Sequence, residues 1–274
     1  MRVIHTIAEL RTVVSDHRDV SFVPTMGNLH DGHLSLVRRA RERPGLVVAS
    51  IFVNPLQFAP HEDFAKYPRT LQRDCELLAG SGCDLVFAPS SQEMYPEEQG
   101  YKVHATASLG DILEGTARPG FFTGVCTVVL KLFNIVRPTV AVFGKKDYQQ
   151  LRVVQSMVRQ FALPIRIIEG ETIRNPDGLA LSSRNGYLNA SERLEAVQLY
   201  RALNQVAGGV RSGRVDWHRL EQSAVESLRA RGWQPDYVAI RERDGLDMPS
   251  SGRPLVLLGA ARLGNTRLID NLEI

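Results

Sequence analysis

Five short apolar runs, each followed by or leading into helical periodicity, constrain the fold of this chain most. Val20–Val23, Leu46–Val53, Leu85–Ala88, Thr139–Phe143 and Ile165–Ile168 are largely continuous in apolar residues, the pattern of strands buried on both faces of a parallel sheet. His33–Glu42, Thr70–Ala79, Gly124–Val136 and Tyr148–Phe161 instead place apolar residues three and four apart, which predicts amphipathic helices. Such alternation predicts an α/β fold, a Rossmann-like doubly wound parallel sheet whose ligands lie outside the carboxyl ends of its strands. The loops that follow strands are therefore where chemistry is expected.

The texture changes after about Ile173. Asn175-Pro176-Asp177-Gly178 is a turn signal, and Asn189 with Glu192 forms a capping-box pattern that opens a helix to about Val210. A helix over Asp216–Arg231 and strands over Tyr237–Arg241, Leu255–Ala261 and Thr266–Leu272 follow. We expect residues 1–172 to form the first domain and 173–274 a smaller α+β C-terminal domain, packed directly against each other with a cleft between. A chain of 274 residues accommodates both. The net charge of +3 comes from scattered basic residues, a mild bias toward small anionic ligands and against nucleic acid. Cys75, Cys83 and Cys126 make no C-x-x-C pair, as expected in a reducing compartment. Met1–Arg18 lacks a signal-peptide core, and no apolar run approaches membrane-spanning length. A cytoplasmic protein without membrane contact is expected.

Three segments carry candidate chemistry. Pro24-Thr25-Met26-Gly27-Asn28-Leu29-His30-Asp31-Gly32-His33 crosses from a strand to a helix, where unpaired N–H groups and the helix dipole favour an anion. Two imidazoles there add donors. Zinc ligation and an incidental surface loop are rival readings, the first lacking a second cluster of ligands in the sequence. Gly144-Lys145-Lys146-Asp147 could supply a cation to the same crevice or be a solvated loop. Leu181-Ser182-Ser183-Arg184 offers hydroxyls and a forked guanidinium suited to a triphosphate. Neither a Walker loop nor G-x-G-x-x-G is present, so phosphate-binding groups are distributed over distant segments.

These segments, with Phe52-Val53-Asn54-Pro55-Leu56-Gln57-Phe58, Lys146-Asp147-Tyr148-Gln149-Gln150-Leu151 and Asp177-Gly178-Leu179-Ala180-Leu181-Ser182-Ser183-Arg184-Asn185, resemble in order the signature blocks of the pantothenate synthetase (pantoate–β-alanine ligase) family. His30-Asp31-Gly32-His33 alone is similar to the wider HxGH nucleotidyltransferase superfamily. The resemblance implies two steps: pantoate attacks the α-phosphate of Mg-ATP, releasing pyrophosphate, and β-alanine then displaces AMP from pantoyl adenylate. It implies His33, His30 and Lys146 as catalytic residues, and an ATP site at Met26, Gly27, Asn28, Leu29, His30, Asp31, Gly32, His33, Gly144, Lys145, Lys146, Asp147, Ile173, Leu181, Ser182, Ser183 and Arg184. Gln57 and Gln150 would bind pantoate and Gln57 also β-alanine, with Phe58, Pro24 and Met26 against the gem-dimethyl carbon. Mg²⁺ would ride on ATP rather than on protein ligands, and a homodimer is expected. Lys145 departs from the pattern: similar sequences commonly carry an acidic residue there, so the match is registered on Lys146-Asp147.

Overall fold

A computed structural model of the chain describes residues 1–59 and 64–274. The first part runs β1 (Arg2–Ile4), α1 (Ile7–Ser15), β2 (Val20–Thr25), α2 (Asp31–Arg41), β3 (Leu46–Ile51), α3 (Leu71–Gly80), β4 (Leu85–Phe87), three short helices α4 (Ser91–Met94), α5 (Ala107–Gly110) and α6 (Glu114–Ala117), then α7 (Phe121–Val136), β5 (Val140–Gly144), α8 (Tyr148–Gln160) and β6 (Arg166–Gly170). The strands form one sheet in the order β1-β4-β3-β2-β5-β6, and every neighbouring pair is parallel. Alternate residues face two layers. Phe22, Val48, Phe87, Ala141 and Phe143 pack with α1, α7 and α8, while Val23, Val47, Ala49, Val86 and Val142 pack with α2 and α3. Burial on both faces is why these strands read as unbroken apolar runs.

The remainder comprises α9 (Ala190–Glu195), α10 (Gln198–Arg211), α11 (Trp217–Ala230) and the antiparallel sheet β7 (Gln234–Glu242), β8 (Leu255–Leu263) and β9 (Thr266–Glu273). The α/β architecture with a small C-terminal antiparallel domain is thus present. The central strand β8 is buried over Leu255–Ala261, although antiparallel strands usually alternate. Its two faces serve different cores: Leu255, Leu257 and Ala261 pack with α10 and α11, whereas Val256 and Leu258, with Ala239 and Leu246, join the apolar cluster of α7 and α8.

Differences from the sequence expectation have local causes. Strand β1 and helix α1 are additional, their few buried positions (Ile4, Leu10, Val14) being sparse among charged neighbours. Helix α2 begins at Asp31 because His30 caps it. The helix expected from Asn189 to Val210 is two helices broken at Ala196-Val197. The Asn189–Glu192 capping box is formed, with both reciprocal bonds at 2.9 Å, and Glu195 is drawn to Arg231 and Trp233 where α9 ends.

Helix α7 approaches the turn after β3 with no room for a side chain at Gly124: a Cβ there would stand 2.2 Å from Leu56 O and 2.7 Å from Gln57 Cα. Both atoms are backbone and cannot swing aside. Gly124→Ala should therefore destabilise the protein by about 2 kcal/mol, read as a lower urea midpoint at constant m-value; unaltered stability would disprove this close approach.

Candidate active site

The sheet order reverses between β2 and β5, the switch point at which an α/β sheet opens a crevice. The loops after β2 and β5 flank it. Together with the turn after β3 and the segment 171–187 they enclose a cavity of about 640 Å³, which the β7–β9 sheet covers from the other side.

At the β2 end, Gly27 has φ +86° and Asn28 φ 51°, left-handed values that fold the chain back into α2. Both N–H groups that follow are held by one carboxylate: Asn28 N and Leu29 N donate to Asp74 Oδ2 and Oδ1, each at 2.9 Å, and Thr70 Oγ1 donates to Oδ2 at 3.0 Å. Asp74 is 0% exposed. A carboxylate accepting three hydrogen bonds is a stiff anchor for a loop.

The histidines double as the helix cap. His30 Nδ1 accepts from Gly32 N at 3.1 Å, and His33 Nδ1 accepts from His30 N at 3.4 Å, forming a reciprocal box. Hydrogen bonding at Nδ1 assigns the proton of each neutral ring to Nε2. The rings lie 4.1 Å apart and both line the cavity. Burial, then the Lys146 charge, lowers the pKa of His30 to about 4. Burial, then His30 and Lys146, lowers that of His33 to about 3. At neutral pH the pair therefore presents two uncharged N–H donors beside a helix N-terminus.

Lys146 lines the same cavity and makes no ion pair among the described residues. Lys145 does not line it. Its ammonium lies among carboxylates, 2.7 Å from Glu171 Oε1, 3.1 Å from Glu273 Oε2 and 3.9 Å from Glu169 Oε2. These partners, burial notwithstanding, raise its pKa. The adjacent lysines thus have different surroundings, one facing the cavity and one tying β6 and β9 to the turn.

Ser182, Ser183 and Arg184 line the same cavity. Ser182 Oγ caps the 3-10 turn Ser183–Tyr187 by accepting from Arg184 N at 3.3 Å, and Ser183 Oγ donates to Asn28 O at 3.4 Å, linking this loop to the histidine loop. Gln57 Nε2 lies 3.1 Å from Met26 Sδ, while its Oε1 accepts from Asn54 Nδ2 at 3.2 Å. Asn54 is itself buried, accepting from Tyr95 OH and donating to Gly124 O. Gln149 and Gln150 both line the cavity, but the Gln149 amide is buried and committed to structure, donating to Leu109 O and Ile112 O and accepting from Glu114 N. Phe58, Pro24, Met26, Phe122, Val125 and Val129 give this end of the cavity apolar walls.

Of the expected nucleotide-site residues, Met26, His30, Gly32, His33, Gly144, Lys146, Asp147, Ile173, Leu181, Ser182, Ser183 and Arg184 converge on the cavity, whereas Gly27, Asn28, Leu29, Asp31 and Lys145 do not line it. Asn28 and Leu29 shape the loop through Asp74, and Gly27 through its left-handed φ. Asp31 is exposed on the first turn of α2. Asp74 itself was not anticipated; the available signal was its place on the apolar face of α3, four residues before the fully buried Leu78. Also unforeseen was Glu114, which receives both terminal nitrogens of Arg267 at 2.7 and 2.8 Å and Tyr237 OH at 2.7 Å. Burial alone would raise the Glu114 pKa, yet Arg267 holds it below the ordinary carboxylate range.

A family model described as Pantoate-beta-alanine ligase matches residues 2–273. A curated pantothenate synthetase from Leptothrix cholodnii is 61% identical, with both chains covered in full. The crystal structure of pantothenate synthetase from Thermus thermophilus is similar with a TM-score of 0.95 at 47% identity, over 100% of this chain and 99% of that one. A pantoate-beta-alanine ligase from Francisella tularensis, described as a complex with beta-gamma ATP and β-alanine, matches with a TM-score of 0.81 at 32% identity over 100% and 97%.

Because both histidines are harder to protonate when folded than the 6.5 of an open ring, unfolding takes up protons below that pH. Their contribution to stability is present above pH 6.5 and is lost as pH falls toward 4 and 3. Replacing them by His30→Asn and His33→Gln should flatten the acid limb of stability between about pH 4.5 and 6.5, measured by urea unfolding. An unchanged limb would show that the rings titrate normally.

Proposed function

The chain belongs to the pantoate–β-alanine ligase family, and we propose that it joins pantoate to β-alanine through a pantoyl-adenylate intermediate. A pantoate carboxylate oxygen attacks the α-phosphorus of ATP, and the bond to the bridging oxygen breaks to release pyrophosphate. The unprotonated amine of β-alanine then attacks the acyl carbon, AMP departs, and the amine loses a proton as the amide forms. The observation that carries this reading is the convergence of three phosphate-type segments and two carboxamides on one cavity.

In this assignment the first step brings a carboxylate to a polyanion, so donors must stand where negative charge develops. His30 and His33 offer their Nε2–H groups at the α2 N-terminus, and Lys146 and Arg184 offset charge on the phosphates. Ser182 and Ser183 add neutral donors. Gly144, Asp147, Ile173 and Leu181 frame the nucleotide. Gln57 and Gln150 each present a donor pair and an acceptor, suited to a substrate with one carboxylate and two hydroxyls, while Phe58, Pro24 and Met26 meet its gem-dimethyl carbon. β-Alanine reaches the acyl carbon beside Gln57. Mg²⁺ is assigned to triphosphate oxygens and water, the ligands it prefers, where it neutralises charge. The Francisella relative, described with ATP-type ligand and β-alanine bound, supports these two substrates.

We assign residues 1–172 to nucleotide and pantoate binding and 173–274 to a domain that closes over the cavity, keeping water from the adenylate. A cytoplasmic homodimer fits the family; among the described residues no helix is long and apolar enough to cross a membrane.

Pyrophosphate release should require both ATP and pantoate, and pantothenate should form only when β-alanine is added. Release without pantoate, or indifference to β-alanine, would point to adenylyl transfer onto another acceptor, and ATP binding with no release to a non-catalytic module. Lys146→Ala should slow adenylate formation roughly 10²-fold, whereas Lys145→Ala should keep most of that rate and instead lower thermal stability. His33→Ala should slow adenylation far more than amide formation from preformed adenylate, as single-turnover kinetics can resolve; equal losses in both half-reactions would refute its role.

A further inference from the structure

Side chains alternate along β9, and its odd positions all turn toward the first domain. Arg267 binds Glu114, Ile269 lines the cavity, and Glu273 receives Lys145 Nζ and, at 2.9 Å, Tyr148 OH. Asn271 lies between them. Its side-chain Nδ2 donates to Lys145 O at 2.8 Å and to Lys146 O at 2.9 Å, and the residue is only 6% exposed. Two carbonyl acceptors at one end of the carboxamide require the nitrogen there, since the oxygen could satisfy neither. One amide thus fixes two successive peptide planes in the turn from which Lys146 reaches the cavity. The turn has no side-chain cap of its own at Gly144.

Asn271 is in turn held firmly. Its backbone N donates to Asp270 Oδ1 at 2.8 Å, and its carbonyl accepts from Arg174 Nη2 at 3.0 Å. Arg174 closes the arrangement with a two-pronged pair to Asp270 at 2.7 and 2.8 Å. The carboxamide therefore stands on a rigid base in the C-terminal sheet and reaches across to the first domain.

We propose that Asn271 is a positioning residue for Lys146, so that adenylyl transfer proceeds only while β9 is seated on the Lys145–Asp147 turn. The inference rests on the reading of Lys146 as the cation at the transferring phosphate. A displacement of about 1 Å in such a group can cost up to about 10²-fold in rate, so a contact through the backbone is enough to matter. The arrangement also orders events, because the same strand that covers the cavity completes the lysine's placement.

The test is single-turnover adenylate formation and, separately, amide formation from preformed adenylate. Asn271→Asp keeps the shape but turns an oxygen toward both carbonyls; it should slow adenylation roughly 10- to 100-fold and leave amide formation within about twofold. Asn271→Ala, which removes the donors without repulsion, should show a smaller loss of the same pattern and guards against misfolding of the first variant. Glu273→Gln, which weakens the Lys145 and Tyr148 contacts but leaves the Asn271 carboxamide on both carbonyls, should lower the melting temperature without a matching loss of adenylation; a loss equal to that of Asn271→Asp would overturn the proposal. In a Lys146→Ala background Asn271→Asp should bring no further slowing. Full multiplicative loss in that background, equal slowing of both half-reactions, or wild-type adenylation in both Asn271 variants would overturn the proposal. Normal adenylation by Lys146→Ala alone would instead overturn the underlying role of Lys146.

Discussion

Neighbouring strands of the large sheet are all parallel, so the chain must cross a face of the sheet before each return. Every strand accordingly delivers its carboxyl end to the same edge. Where the order reverses, between β2 and β5, the crossing segments leave on opposite faces and the edge opens. The histidine loop, the lysine turn and the Asn54–Phe58 turn are distant in sequence and adjacent in space for this reason alone. What remains for individual residues is to fix each loop, and this falls to buried polar groups: Asp74 for the first, Asn271 for the second and Asn54 for the third. Asp74 and Asn271 each lie on a different element from the backbone they hold, whereas Asn54 belongs to its own turn and ties it to α7 through Gly124 O.

A cavity proposed to take a polyanion yet bordered by acidic residues looks self-defeating until the pairings are followed. Glu114 and Asp236 both engage Arg267, Asp270 engages Arg174, and Glu171 engages Lys145. These carboxylates border the cavity with their charge partly offset, Glu114 and Asp236 sharing one guanidinium. The imidazoles, kept neutral by burial, contribute dipoles rather than charge. The cavity thus favours negative charge through preorganised donors and a small number of cations that remain turned inward.

The parts visible in the sequence were those with a local cause. Strands buried on both faces showed as unbroken apolar runs, and the Asn189–Glu192 capping box showed as a spacing. The cavity-lining residues suited to phosphate stood out because Gly, His, Ser and Arg cluster in short loops. Residues acting through remote partners did not stand out. Asp74 resembles a solvated helix acid until Asn28 and Leu29 are brought to it, and nothing in Arg267-Leu268-Ile269-Asp270-Asn271 announces that alternate side chains will meet another domain. Lys145 and Lys146 are indistinguishable as letters; a seam of glutamates separates them in space. Likewise β1 is held by neighbours contributed from β4, more than eighty residues later.

The two-faced burial of β8 bears on how substrates can enter. Swinging the small sheet away like a door would wet Val256, Leu258, Ala239 and Leu246, now part of the apolar cluster of the first domain, and lose roughly 25 cal/mol for every Å² exposed. Sliding keeps those side chains covered while polar contacts at the cavity rim exchange partners. If the C-terminal domain closes over the cavity as proposed, a shear of packed surfaces serves access better than a wide hinge, with the greasy underside of one strand as its runner.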